Sequence, residues 1–259
     1  NENRLLTIYA NYNKMVESLN SSFDATIGYD YQYWKSVNPA SASMNAAGEI
    51  QTSYKATDER HVLLSYYGRL NYSFGSKYML TATVRRDATS RFAKEQRWGT
   101  FPSVALGWRI SEEEFMKNQN VLSTLKLRAS YGVTGQQDGI GNYNYLPIYT
   151  QSQDGAQAIM GNEYIYTYRP EAYVSDLKWE TTTSWNYGFD FGFLEDRITG
   201  SFDYYTRQTK DLIATVPAAA GSTFDKTITT NVGNVDSQGI EFSLNATPIK
   251  TKDFSWDIS

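Results

Sequence analysis

Residues Arg86–Ser111 read RDATSRFAKEQRWGTFPSVALGWRIS, and this stretch decides how the rest of the chain is interpreted. Its first part, Ala88–Gly99, is polar and predicts a loop. Its second part alternates: one set of positions is Val104, Leu106, Trp108 and Ile110, and the other is Ser103, Ala105, Gly107 and Arg109. Because successive side chains of a β-strand point to opposite faces, this alternation predicts a strand with one apolar face and one small or charged face.

The same alternation recurs along the chain and predicts about ten strands. Their first clear apolar residues are Leu6, Phe23, Leu64, Tyr78, Val104, Leu125, Trp185, Ile198, Ile240 and Phe254. Short turns such as Gly75–Lys77 and Leu194–Asp196 alternate with the long segments Lys35–Arg60, Gly135–Leu177 and Asp211–Thr230. Such alternation is typical of an up-and-down outer-membrane barrel. The predicted fold class is all-β: part of a large antiparallel up-and-down transmembrane β-barrel, with short periplasmic turns and long extracellular loops.

Composition agrees with a barrel but does not require one. The 259 residues include 21 Tyr, 12 Phe and 6 Trp, with no Cys and a net charge of −4. Aromatic enrichment at a mean hydropathy of −0.53 fits a transmembrane barrel and also a soluble, aromatic-rich β protein. The absence of Cys excludes a disulfide scaffold and thiol chemistry. No apolar run is long enough for a transmembrane helix, and the weakly acidic charge gives no support to nucleic-acid binding.

Strand alternation alone leaves the direction of the two faces open. In a soluble sandwich the charged face would meet solvent, whereas in a barrel it would line the lumen. The regular separation of short and long connections favours a barrel whose charged face lines the lumen.

A segment with the capping-box form S-x-x-E, Ser111–Glu114, predicts one or two helical turns around Ser111–Lys117.

Three runs of sequence resemble the SusC/RagA-type TonB-linked outer-membrane proteins of Bacteroidetes. The first consists of Arg91-Phe92, Arg97-Trp98-Gly99-Thr100-Phe101-Pro102-Ser103 and Gly107-Trp108-Arg109-Ile110-Ser111-Glu112-Glu113. The second is Leu125–Gly132 with Thr134-Gly135-Gln136, and the third is Asn231-Val232-Gly233 leading into Gly239-Ile240-Glu241-Phe242. The resemblance identifies a family signature with structural roles at Arg91, Phe92, Arg97, Trp98, Gly99, Phe101, Pro102 and Trp108.

This resemblance implies a TonB-dependent nutrient importer in the cell outer membrane. The expected partners are the lipid bilayer, a SusD-like surface lipoprotein, TonB, and an oligosaccharide or peptide cargo. The chain opens without a signal peptide and closes within strand-like sequence, so we expect residues 1–259 to be a fragment of the barrel domain, without the plug, the TonB box and the N-terminal domains. The alternatives are a soluble β-rich carbohydrate-binding module and a plain porin or adhesin barrel.

Side-chain patterns for catalysis are missing, and we expect no enzyme activity, no cofactor and no metal. The single histidine, His61, is predicted to lie in a loop, and no nucleophile, zinc or phosphate-binding motif occurs. Aromatic rings in the longest loop are the better candidates for ligand contact, because a flat ring with a polar edge suits sugars and peptide side chains. The candidate ligand-binding residues are Tyr143, Tyr145, Tyr149, Tyr164, Tyr166 and Tyr168.

Overall fold

Ten antiparallel strands form one continuous sheet in the computed structural model, which describes residues 1–119, 121–152 and 154–259. The strands are β1 (Glu2–Val16), β2 (Ser21–Asn38), β3 (Ser41–Met44), β4 (Ile50–Tyr54), β5 (Thr57–Phe74), β6 (Tyr78–Thr89), β7 (Trp98–Arg109), β8 (Leu122–Gln136), β9 (Tyr149–Gln151), β10 (Ala158–Met160), β11 (Glu163–Ile165), β12 (Tyr168–Pro170), β13 (Glu180–Phe193), β14 (Ile198–Lys210), β15 (Ile213–Pro217), β16 (Thr227–Asn231), β17 (Asn234–Lys250) and β18 (Ser255–Ile258). The only helical elements described are single 3-10 turns at Glu17–Leu19, Ile110–Glu112, Glu114–Met116 and Asp154–Ala156.

The large sheet is a meander. Its order is β1-β2-β5-β6-β7-β8-β13-β14-β17-β18, so each strand pairs with the next sheet strand along the chain. The other strands form four two-stranded sheets, β3–β4, β9–β12, β10–β11 and β15–β16, all within the long connections. The predicted strand number, the antiparallel up-and-down order and the alternation of short and long connections are confirmed.

Two predicted loops are shorter than expected, because the strands continue beyond their apolar alternation. The β2–β5 ladder extends to Asn38 opposite Thr57, within the segment predicted as a loop from Lys35 to Arg60. The predicted loop Ala88–Gly99 is reduced to residues 90–97, because β6 ends at Thr89 and β7 begins at Trp98. Backbone hydrogen bonds sustain these extensions where side-chain periodicity gives no signal.

An exposed apolar band covers one face of the sheet. On β7 it carries Val104 and Leu106, which are 38% and 56% exposed, with Trp98 and Trp108 at the two ends. The ten residue steps between the two tryptophans correspond to about 33 Å along a strand, at about 3.3 Å per residue. A strand tilt of about 40° reduces this to about 25 Å, the height of the lipid-facing band of an outer-membrane barrel. In the described residues no helix is long and apolar enough to span a bilayer.

The opposite face, called here the inner face, carries ion pairs that cross several strands. Arg128 on β8 binds Asp190 of β13 at 2.9 Å and Asp203 of β14 at 2.9 Å. Gly188 lies between Arg128 and Asp203 in the register, and a Cβ atom there would be 2.2 Å from Asp203 Oδ1. The glycine therefore leaves the space through which the arginine reaches the second strand.

The turn after β7 differs from the predicted capping box. Ser111 makes no capping hydrogen bond, and Glu113 is extended between two 3-10 turns. The Glu113 carboxylate accepts hydrogen bonds from the Tyr78 hydroxyl at 2.5 Å, the Trp108 indole at 3.0 Å and the Lys77 ammonium at 3.2 Å. Glu113 itself lies in the turn, outside the strands, and these three donors lower its pKa to about 2.

Replacing Glu113 should destabilise the protein in a pH-dependent way. We expect Glu113→Gln to lower the free energy of unfolding at neutral pH, because Lys77 and Trp108 would then donate their hydrogen bonds to a neutral amide instead of a charged carboxylate. The deficit should be fully present above pH 4.5, the ordinary pKa of this carboxyl, and should shrink as the pH falls toward 2, where wild-type Glu113 also becomes neutral. Denaturant titrations of the intact protein across this range measure it. Glu112→Gln, at an exposed position, is the control, and a deficit independent of pH would contradict the assignment.

Candidate functional site

The six candidate tyrosines are divided between two regions of the longest loop. Tyr143 and Tyr145 are half-buried near its base, and the Tyr143 hydroxyl accepts a hydrogen bond from the Arg60 backbone N–H at 3.2 Å. Tyr149 and Tyr168 lie in the β9–β12 sheet. They share a face, because Tyr168 is paired with Gln151, which is two residues from Tyr149 on β9. The side chains of Tyr149 and Tyr168 are 61% and 64% exposed.

The remaining two candidates lie further along the same loop. Tyr164 is opposite Ile159 in the β10–β11 hairpin, and both side chains are exposed. Tyr166 follows this hairpin and is also exposed. Among the described residues, no ring-to-ring contact joins Tyr143, Tyr145, Tyr149, Tyr164 or Tyr168 to one another. The structure therefore does not gather the predicted tyrosines into one aromatic site.

The signature residues Phe92 and Phe101 form the base of a buried cluster, called here the loop core. Its members are Phe92, Phe101, Ile140, Leu177 and Trp179. The Trp179 ring meets Phe92 edge-on at 5.5 Å and Phe101 at 5.3 Å between centroids. Gly99, another signature residue, leaves room for the Phe101 ring, since a Cβ there would be 2.4 Å from Phe101 Cζ. The core fastens both ends of the long loop to the inner face.

Polar signature residues complete this attachment. Arg97 Nε donates to the Phe92 carbonyl at 3.1 Å, and the Arg97 carbonyl accepts from Trp179 Nε1 at 2.9 Å. Arg91 Nε donates to Asn142 Oδ1 at 3.2 Å, and its guanidinium lies 3.6 Å from Asp138. The expectation that Arg91 and Arg97 have structural roles remains a proposal, and these contacts support it.

Three other signature residues belong to the outward face. Trp98 stacks near Tyr66, with centroids 6.1 Å apart, and the Arg86 guanidinium lies 5.1 Å from its ring. Trp108 stacks near Tyr78 at the other end of β7. Pro102 is exposed between them, opposite Val84 on β6. The rings at both ends mark two aromatic belts, the arrangement found at membrane–water interfaces.

A cleft that sequence reasoning missed lies on the inner face at the long-loop end of the sheet. Its volume is about 450 Å³, and it is lined by Asn1, Glu2, Asn3, Trp34, Lys35, Ser36, Glu59, His61, Arg91 and Asn142. Trp34 and His61 are opposite each other in the β2–β5 ladder and stack with centroids 4.2 Å apart. The prediction that His61 lies in a loop is wrong, because the β5 ladder extends past it.

Hydrogen bonds fix the polar wall of this cleft. Asn142 donates to Glu59 Oε2 at 3.2 Å and accepts from Arg91, so one amide joins the carboxylate to the guanidinium. Ile140, two residues before Asn142, is anchored in the loop core. The signature loop thus positions the cleft through the loop core.

The side chains that line the cleft offer both apolar and polar contacts to a bound molecule. A stacked aromatic pair offers a flat apolar surface, while an amide, a carboxylate and a guanidinium offer donors and acceptors around it. Within the described residues, no three His, Asp or Glu side chains are grouped as metal ligands would be. The arrangement suits a polar molecule with flat apolar faces.

Comparison with known proteins gives consistent matches over nearly the whole chain. The family model described as TonB dependent receptor-like, beta-barrel, matches residues 2–259. The TonB-dependent receptor SusC of Bacteroides thetaiotaomicron is 52% identical over 209 residues, which is 81% of this chain and 20% of SusC. The TonB-dependent receptor P39 of Formosa agariphila is 37% identical over 223 residues, covering 84% of this chain and 20% of that protein.

A solved structure matches the fold. The RagAB peptide importer in its closed-closed state superposes with a TM-score of 0.82 at 25% identity, covering 98% of this chain and 28% of that chain. The resemblance seen in the sequence is therefore confirmed, and these relatives are named as receptors and an importer rather than enzymes. The chain spans about a fifth of the length of the curated relatives that it matches.

Proposed function

Because this chain belongs to the TonB-dependent receptor β-barrel family, we propose that it forms part of the wall and the extracellular loops of an importer for oligosaccharides or peptides. Family membership places the chain in the outer membrane, as the sequence predicted. The observation that carries the proposal is the position of the cleft around Trp34 and His61. It opens on the inner face at the long-loop end, where a molecule entering the barrel from outside would first meet its wall.

A partner covering the loops is the second part of this proposal. Each of the two small sheets exposes aromatic or apolar side chains: Tyr149 and Tyr168 in the β9–β12 sheet, and Ile159, Met160 and Tyr164 in the β10–β11 sheet. Aromatic side chains are enriched in surfaces that bind another protein or a ligand. We assign these side chains to contacts with a SusD-like lipoprotein or with cargo. We also propose that TonB passes energy to the receptor through parts of it outside residues 1–259.

The two alternatives are less well supported. A soluble carbohydrate-binding module would leave the apolar band of β7 and its neighbours in water, although its height matches the bilayer. A plain porin or adhesin barrel is not favoured, because the named relatives are TonB-dependent receptors.

Replacing Trp34 should lower uptake without removing the receptor. We expect Trp34→Ala to reduce uptake of the accepted cargo about two- to tenfold, the equivalent of roughly 0.5–1.5 kcal/mol of aromatic contact. Uptake is measured in cells lacking the chromosomal copy, supplied with labelled hexasaccharides of glucose, mannose or galactose, or with a mixture of peptides. Rates are normalised to receptor at the cell surface. Trp185→Ala on the outward face is the matched control.

Two outcomes separate the parts of the proposal. Deletion of the receptor gene with no change in uptake of any probe would refute the importer function. Loss of uptake on deletion, together with wild-type uptake by Trp34→Ala, would leave the importer function intact and remove the cleft from the transport path.

A further inference from the structure

Two positive charges face each other on the inner face near the short-turn end. Arg109, the last residue of β7, is directly opposite Lys126 of β8 in the antiparallel register. Both side chains are half-buried. Opposed side chains in a ladder lie about 5 Å apart at Cβ, and like charges in this position are destabilising. A negatively charged group between Arg109 and Lys126 would offset this repulsion.

The described part of the chain does not supply that partner. No carboxylate there lies within salt-bridge distance of Arg109 or Lys126. Asp190 is opposite Lys126 on β13, but Arg128 already binds both of its oxygens, with Nε 3.1 Å from each. Asp203 is bound by the same guanidinium at 2.9 Å. The other nearby base, Lys77 in the adjacent turn, is paired with Glu113 at 3.2 Å.

Space for a partner exists beside Lys126. A depression of about 310 Å³ in the inner face includes Lys126 and Arg128 in its lining. Small residues form much of its floor: Ala105, Gly107, Ser130 and Gly188. Their size leaves room for a side chain that approaches the wall from inside the barrel.

We propose that Arg109 and Lys126 form a docking point for the carboxylate of an Asp or Glu on a polypeptide segment inside the barrel. A polypeptide fits better than a free anion for two reasons. Outer-membrane transporter barrels of about 22 strands have a plugged lumen. The matched region is only 20% of SusC and 28% of the RagAB chain, so most of each relative lies outside it. This inference depends on the barrel and not on the identity of the cargo.

Carbodiimide coupling tests the proposal in the intact wild-type receptor. The reagent joins an amine directly to a carboxylate in contact with it, and mass spectrometry of the digested product identifies both residues. We expect Lys126 to be joined to an Asp or Glu outside residues 1–259. We also expect Lys126 to be acetylated about tenfold more slowly than the exposed Lys94, the order of one charge-assisted hydrogen bond.

Charge variants provide the matched comparison. Arg109→Gln should reduce the yield of the Lys126 cross-link about tenfold, while Arg109→Lys and the control Lys94→Gln should leave it at the wild-type level. Coupling of Lys126 only to Asp190 or Asp203 would overturn the proposal, because the sheet would then neutralise itself. Protection of Lys126 without any cross-link would also overturn it, by indicating a bound phosphate or another small anion. None of these measurements depends on uptake.

Discussion

Trp179→Ala should release the long loop from the barrel wall, with a local destabilisation of about 3–5 kcal/mol, the usual cost of truncating a large buried aromatic residue. Trp179 is 7% exposed, and Phe92, which it contacts, is completely buried. The substitution removes both edge-to-face ring contacts of the loop core and the hydrogen bond to the Arg97 carbonyl. The sheet itself should persist, because its ladders do not pass through this residue.

Limited proteolysis of intact cells measures this effect. In the wild type, the segment between β8 and β13 should resist cleavage near its fastened ends, whereas in Trp179→Ala it should be cut there rapidly. Trp179→Phe should give an intermediate result, since a ring remains but the indole donor is lost. Tyr164→Ala, at a 70% exposed aromatic position of the same loop, is the control and should match the wild type. Equal cleavage of Trp179→Ala and Tyr164→Ala would show that the loop core does not hold the loop.

Strand number and loop order could be predicted from the sequence because they depend on local periodicity. Alternation at Val104, Leu106 and Trp108 specifies a strand with two faces, and turns such as Gly75–Lys77 mark its neighbours. The signature residues were predicted from the family resemblance, but the sequence did not indicate that they divide between the two faces of the sheet. Phe92 and Phe101 turn inward to hold the loop, whereas Trp98 and Trp108 turn outward to mark the membrane boundary.

The cleft could not be predicted because it depends on register and on a distant loop. Trp34 and His61 are far apart in sequence and meet only because the β2–β5 ladder continues beyond its apolar alternation. Asn142 reaches Glu59 and Arg91 only because Ile140 is buried in the loop core. Periodicity carries no information about either contact. The short β9–β12 and β10–β11 ladders similarly divide tyrosines that composition alone had grouped together.

The direction of the two faces, which alternation alone left open, can be tested with adjacent residues of one strand. Val104→Arg places a charge near the middle of the apolar band, six residues from Trp98 and four from Trp108. A charged side chain at the lipid-facing midplane of an outer-membrane barrel costs about 2–4 kcal/mol. Ser103→Arg places the same side chain on the inner face, where it meets a polar lumen, so its effect should stay within about 1 kcal/mol.

Denaturant titration of the intact receptor in lipid vesicles gives both values, and outer-membrane abundance gives the cellular counterpart. Val104→Arg should unfold at a lower denaturant concentration and reach the membrane in smaller amounts, whereas Ser103→Arg should resemble the wild type. The two positions are adjacent on β7 and receive the same residue, so the variants differ chiefly in the face on which the arginine lies. A larger loss from Ser103→Arg would reverse the two faces, and the charged ladders around Arg128, Asp190 and Asp203 would then have to face lipid. Their desolvation would be far more costly than that of a single arginine, so the two substitutions test the whole inner-face assignment.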